Sequence, residues 1–163
     1  MSPVLRAGPV SQARYEALRI LVRVEEDRAF ADIVLEHALE HARLEPRDAA
    51  LCTELVYGTL RWRRHLDWRL GPHLNRPLDK LDPWVRSLLR LTAYQLFFLD
   101  RVPRWAAVDE AVSLAKIKST RPGPPEFVNA VLRALTRATG LPPLPALPNE
   151  AIAVRCSFPD WIA

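Results

Sequence analysis

Apolar side chains recur at three- and four-residue steps along most of this 163-residue chain, which is the spacing that places them on one face of an α-helix. Ala17, Leu18, Leu21 and Val24 show the pattern near the N-terminus. Only five glycines occur, and β-branched residues rarely alternate with polar ones as they would in half-buried strands. The sequence therefore predicts an all-α fold.

Capping residues and prolines predict where these helices begin and end. Asp82 followed by Pro83 is a strong N-terminal signal. The helix that follows, as far as Leu99, is apolar on almost every side and should be the central one. Another helix should end or bend near Gly58–Arg63. We predict about seven helices within residues 1–140, and a proline-rich linker with a short apolar tail over residues 141–163.

Composition excludes several classes of protein. Two cysteines in no CxxC arrangement argue against a secreted disulfide scaffold and against a cysteine zinc site. No apolar run reaches the length of a membrane span, and the N-terminus lacks the apolar core of a signal peptide. A cytoplasmic location is expected. The formal net charge of +4 fits contact with nucleic acid without requiring it.

The segment Leu51–Leu70 separates into two helical faces. One face carries Leu51, Leu55, Gly58, Trp62 and Leu66, and the other carries Tyr57, Arg61, Arg64 and Trp68. Arginines beside aromatics suit RNA, because guanidinium groups pair with phosphates and both groups stack on bases. The alternative is that the second face is buried, with its arginines paired to carboxylates. If the helix bends here, Tyr57 and Trp68 should pack inward and leave Arg61, Arg63 and Arg64 as an exposed corner.

Catalytic and metal-binding signatures are not evident in the sequence. There is no GxGxxG, P-loop, GxSxG or HExxH pattern. His37 and His41 lie four residues apart, but beside glutamates they fit a solvated polar face better than a metal site. Cys52 is predicted to be a small buried residue. Cys156 follows Arg155, but its segment contains no candidate base for a nucleophilic thiol.

Four segments together resemble one family. They read ARYEALRILVRV, LCTELVYGTLRWRRHLDW, LRLTAYQLFFLDRVPRWAAVDEAVSLAK and EFVNAVLRAL. In this order, over roughly Ala13–Arg137, they resemble the NusB-like helical domain. This domain occurs in the NusB transcription antitermination factors and at the N-terminus of RsmB-type enzymes, which methylate carbon 5 of a cytosine in small-subunit ribosomal RNA.

The tail distinguishes these two groups. RsmB-like proteins continue after the NusB-like helices into a segment of the form R-x-S-x-P-x-W, which corresponds here to Arg155, Ser157, Pro159 and Trp161. The resemblance therefore implies the N-terminal part of an RsmB-type methyltransferase. It also implies that S-adenosylmethionine and the catalytic cysteines belong to a domain beyond this segment. We accordingly expect no cofactor, no catalytic residue and no methyl transfer in this chain alone.

The resemblance also suggests where RNA would bind. NusB relatives contact RNA through the first helix and the loop before the FVNAVL helix, and the matching positions are Arg14 and Phe127. Phe127 is also a good core residue, and we favour that interpretation. Lys116 and Lys118, which precede this loop, are further candidates, although lysines at the end of a helix also stabilise its dipole. Asp109 replaces an asparagine usual in the family, and its negative charge disfavours RNA contact there.

Two hypotheses about function follow. In the first, the chain is an RNA-binding accessory domain that positions ribosomal RNA for the methyltransferase domain. In the second, it is a protein-interaction module that docks on its own C-terminal methyltransferase domain or on a ribosomal protein. A complete antitermination factor agrees poorly with residues 141–163.

Overall fold

The computed structural model describes residues 10–118 and 123–159, and the described chain is helical. The helices are α1 (Gln12–Asp27), α2 (Ala31–Ala42), α3 (Pro46–Arg61), α4 (Arg63–Leu70), α5 (Pro83–Phe98), α6 (Arg104–Lys118), α7 (Pro124–Arg137) and α8 (Pro148–Cys156). Two 3₁₀ turns, Gly71–His73 and Leu78–Lys80, connect α4 to α5. The all-α prediction is confirmed, with one helix more than expected among the described residues.

Helix α5 is the centre of the bundle, as its apolar pattern predicts. It packs against α1, α3, α4, α6 and α7, and Leu88, Leu89 and Leu91 are fully buried. Its N-terminus is capped as predicted, since an Asp82 carboxylate oxygen accepts the backbone N–H of Trp84 at 2.9 Å. Such a cap satisfies a backbone donor that the helix itself leaves without a partner.

Helix α8 is the element that the sequence analysis missed. The linker from Leu141 to Ala146 is not helical, as predicted, but the apolar residues beyond it form α8, which packs against α4. Ala153 is fully buried there. Trp161 of the expected tail motif lies outside the described residues. In the part of the chain described, no helix is long and apolar enough to cross a membrane.

Candidate nucleic-acid interface

The predicted break in the arginine-rich segment falls at Trp62, which joins α3 to α4. Its ring stacks on Phe98 of α5, with 4.7 Å between centroids, and this contact anchors the junction to the central helix. Arg61 and Arg63, on either side of it, are exposed. The Arg61 guanidinium lies 5.8 Å from the centroid of the Trp62 ring. We call Arg61, Arg63 and Arg64 the arginine corner.

The two aromatics that flank the arginine corner differ from each other. Trp68 is half-buried, but its partner is the segment after α7 and not the core, since its indole N–H donates to the carbonyl of Pro143 at 3.1 Å. Tyr57 does not pack inward. It is 42% exposed, and its hydroxyl donates to Asp32 of α2 at 2.5 Å. That part of the prediction is wrong, because a partner on the neighbouring helix holds the tyrosine at the surface.

Arg64 belongs to a second set of contacts, between α4 and the tail (residues 141–159). Its guanidinium donates to the carbonyl of Phe158 at 3.4 Å. His65 Nδ1 lies 3.2 Å from the carbonyl of Val154, and burial lowers the pKa of this imidazole. The neutral ring with its proton on Nδ1 donates to that carbonyl. Arg64 is half-buried and holds the tail, so the prediction of three exposed arginines is correct for Arg61 and Arg63 and wrong for Arg64.

Arg14, the candidate on α1, is engaged within the bundle. Its Nε lies 2.5 Å from Gln95 Oε1 on α5 and 3.2 Å from Glu110 Oε2 on α6. Its side chain is 15% exposed. Glu110 also accepts the backbone N–H of Ser11, the capping residue of α1, at 2.6 Å. Arg14 thus fixes the start of α1 against two other helices.

Lys116, Lys118 and Phe127 flank residues 119–122, which lie outside the described ranges. Both lysines are exposed, and the Lys118 ammonium lies 4.7 Å from the centroid of the Trp84 ring. Phe127 is half-buried against the core. The first turn of α7 is fixed beside it, because the backbone N–H of Gly123 donates to Glu126 Oε2 at 2.8 Å. Phe127 has the structural role that we favoured; its contact with RNA stays a prediction.

Lys118 also borders a groove of about 1000 Å³ between α1 and α2. Further cations line this groove, but carboxylates accompany them. Arg19 pairs with Glu16 at 3.1 Å, and Arg23 pairs with Asp27 at 3.4 Å. The groove therefore carries little net positive potential, and the arginine corner is the better candidate for contact with phosphates.

An ion-pair network that the sequence did not predict lies beneath the arginine corner. Arg90 of α5 donates from Nε and Nη2 to both oxygens of Asp67, at 2.6 and 2.8 Å. Its Nη1 donates to Glu25 at 3.0 Å. Glu25 also lies 3.0 Å from the Nε of Arg86. Because its partners are 65 and 23 positions away in sequence, no local pattern identifies Arg90 as a paired group.

The cysteines and the paired histidines form no metal cluster among the described residues. Cys52 is fully buried, as predicted, and burial followed by the charge of Glu16 raises the pKa of its thiol to about 12. Cys156 is exposed. The His37 and His41 rings stack at 4.1 Å between centroids. Among the described residues, no three potential ligands come close enough together to hold a metal ion.

Comparisons with known proteins agree with this architecture. Residues 11–137 match the NusB family. Probable ribosomal RNA small subunit methyltransferase B of Bacillus subtilis is 39% identical over 90% of this chain and 32% of its own length. Transcription antitermination protein NusB of Xanthomonas axonopodis pv. citri is 34% identical over 81% of this chain and 80% of its own length. Among solved structures, antitermination factors NusB and NusE in complex with dsRNA match with a TM-score of 0.71 at 24% identity, covering 78% of this chain and 95% of the matched one.

Proposed function

The chain belongs to the NusB family, and from that membership we propose that it is the RNA-binding accessory domain of a ribosomal RNA small-subunit cytosine-C5 methyltransferase. The observation that carries the proposal is the extent of the similarity. The match to the Bacillus methyltransferase extends over 148 residues, more than the NusB family match over residues 11–137. This chain spans about a third of the length of that relative. It supplies the helical, RNA-contacting part of such an enzyme.

The position of the tail supports this proposal. The tail is seated on α4, the helix that carries Arg63 and Arg64, through the carbonyls of Pro143, Val154 and Phe158. A catalytic domain that follows the tail would thus be tethered beside the arginine corner. RNA held by Arg61 and Arg63 would lie close to that domain, which is the arrangement an accessory domain needs in order to position a substrate.

We place S-adenosylmethionine in the catalytic domain and not in this bundle. In folds that bind such cofactors, a glycine-rich turn between a strand and a helix lets the backbone approach the ligand. The described residues form no strand, and the large groove between α1 and α2 is lined by paired charges. These residues do not fit the cofactor. A protein that modifies ribosomal RNA would act in the cytoplasm.

The variant Arg61→Glu/Arg63→Glu tests the proposal. We expect it to weaken binding of a fluorescein-labelled fragment of small-subunit ribosomal RNA about tenfold, because two phosphate-pairing charges become repulsive. Fluorescence anisotropy at several salt concentrations measures both the affinity and its salt dependence. The salt dependence should be shallower in the variant, since fewer counterions are released.

A matched control is Arg76→Glu/Lys80→Glu, on the exposed connection between α4 and α5. It changes the net charge by the same amount and should leave affinity near that of the unmodified chain. Equal losses in both variants would show a general charge effect and remove the arginine corner as a site. Failure of the unmodified chain to bind any ribosomal RNA fragment would refute the RNA-binding function itself.

A second candidate is a protein-interaction module, as in an antitermination factor that works with a ribosomal protein. The coverage of 80% of the Xanthomonas NusB protein favours it, since four-fifths of that factor has a counterpart here. Pull-downs of this chain with the isolated methyltransferase domain and with ribosomal proteins, beside the RNA titration, separate the two candidates. Protein capture without RNA binding would favour the second.

A further inference from the structure

The open end of the α6–α7 hairpin combines an exposed tryptophan with three arginines. Trp105 on the first turn of α6 is 71% exposed, a rare state for the largest aromatic side chain. Arg104 lies beside it, and Arg133 and Arg137 face it from the last turns of α7. Together they line a surface cavity of about 240 Å³. We call these four residues the hairpin patch.

The positive charges of the hairpin patch are only partly offset by the surrounding protein. Arg104 donates to the carbonyl of Thr136 at 3.4 Å, and Arg133 donates to the amide oxygen of Asn129 at 2.9 Å. Over residues 10–118 and 123–159, none of the three arginines forms an ion pair. The exposed Asp109, whose charge we expected to disfavour RNA contact, also lines the cavity, but the three arginines outnumber it.

A fourth arginine adds to the positive potential. Arg69 of α4 is half-buried, and burial, followed by the charge of Arg104, lowers the pKa of its guanidinium. The hairpin patch is therefore electropositive. It differs in this from the groove between α1 and α2, where Arg19 and Arg23 have carboxylate partners.

We propose that the hairpin patch binds a single-stranded RNA segment, with one unpaired base stacked on Trp105 and the neighbouring phosphates held by Arg104, Arg133 and Arg137. An indole face accepts any base that is not already stacked in a duplex, and guanidinium groups pair with phosphates in a fork. The inference rests on the proposed RNA-binding function. It assigns a site distinct from Lys116, Lys118 and Phe127, about 20 Å away along the hairpin.

The test uses fluorescein-labelled oligoadenylate of about 12 nucleotides, a length within the usual site size of single-strand binders. Trp105→Ala should weaken its binding to this chain about tenfold, the effect of losing one stacked base. Trp105→Phe should restore most of the affinity, because a phenyl ring still stacks. Binding of a blunt RNA duplex of the same length should not change.

Replacing the arginines should also change the salt dependence of binding. Arg133→Gln/Arg137→Gln should weaken binding and also reduce the slope of log affinity against log salt by about 1.4, because each phosphate contact with a single strand contributes about 0.7, whereas Trp105→Ala should leave that slope unchanged. Phe30→Ala is the matched control, since Phe30, the residue just before α2, is an exposed aromatic that is 79% accessible to solvent. It should bind oligoadenylate like the unmodified chain.

The outcomes separate this inference from the proposed function. If the unmodified chain binds RNA and Trp105→Ala binds oligoadenylate equally well, the hairpin patch is overturned while RNA binding stands. If Trp105→Ala instead weakens only the capture of the methyltransferase domain, the patch is a protein interface and the inference is wrong. If the unmodified chain binds ribosomal RNA fragments but not oligoadenylate, single-strand stacking is again refuted.

Discussion

Replacing Arg90 with methionine is expected to lower the free energy of unfolding by about 3 kcal/mol, because Asp67 loses its buried partner and Glu25 loses one of the two arginines that pair with it. The Arg90 side chain is only 11% exposed, and those of Glu25 and Asp67 are 23% and 31% exposed. Methionine preserves much of the packing volume, so the loss reports the charge network and not a cavity. Urea denaturation followed by circular dichroism measures it.

The pH dependence of stability provides a second test of the Arg90 network. Burial raises the pKa of Glu25, but the charges and hydrogen bonds of Arg90 and Arg86 outweigh it, and the net pKa lies below the ordinary value of 4.5. The folded state therefore gains stability from this group above pH 4.5 and loses it as the pH falls through the lowered pKa. The difference between Arg90→Met and the unmodified chain should narrow at acidic pH.

The exposed pair Arg23–Asp27 provides the matched control, since both side chains are more than half exposed. Arg23→Met should change stability by less than about 0.5 kcal/mol, because water screens such pairs. If Arg23→Met and Arg90→Met lowered the free energy of unfolding by the same small amount, the network beneath the arginine corner would stabilise the fold no more than an exposed ion pair does.

Replacing Gly58 with valine should destabilise the bundle by about 3 kcal/mol, at the upper end of the cost of overpacking. A Cβ atom at Gly58 would overlap the ring end of Tyr94 on α5. Tyr94 has no room to retreat, because it is 7% exposed and stacks on Phe98 with 5.2 Å between centroids. Thermal and urea unfolding should both show the loss.

Two variants make the Gly58 prediction specific. Gly71→Ala places a Cβ where no atom lies within 4 Å, so it should be neutral or slightly stabilising. Shortening the clashing residue with Tyr94→Leu should make the double variant with Gly58→Val less unstable than the sum of the two single losses. Simple additivity would mean that the close approach of α3 to α5 does not depend on this glycine.

Local signals in the sequence predicted most of the fold. Asp82 and Pro83 indicated the start of α5, and the apolar pattern around it indicated the centre of the bundle, because caps and periodicity act over a few residues. Helix α8 was not predicted because it is short and follows a proline-rich segment. Its packing against α4 stabilises it. Contacts with residues distant in sequence stabilise such a helix, so its own sequence does not predict it.

The candidate interface was less predictable for the same reason. The break at Trp62 and the exposure of Arg61 and Arg63 followed from the local pattern. The engagement of Arg14 with Gln95 and Glu110, and of Arg64 with the tail, depends on residues distant in sequence. The hairpin patch also depends on residues distant in sequence, because Arg133 and Arg137 of α7 come near Trp105 only when α6 and α7 pack together.

The three hydrogen bonds from α4 to the tail all end on backbone carbonyls, those of Pro143, Val154 and Phe158. Every residue offers such a carbonyl, whatever its side chain. Mutations in the tail can therefore accumulate with little effect on its path, provided that small residues such as Ala153 remain where the tail meets the bundle. Changes at Arg64, His65 or Trp68 would instead release the tail. The side chains of α4 therefore determine the position of the tail more than its own side chains do.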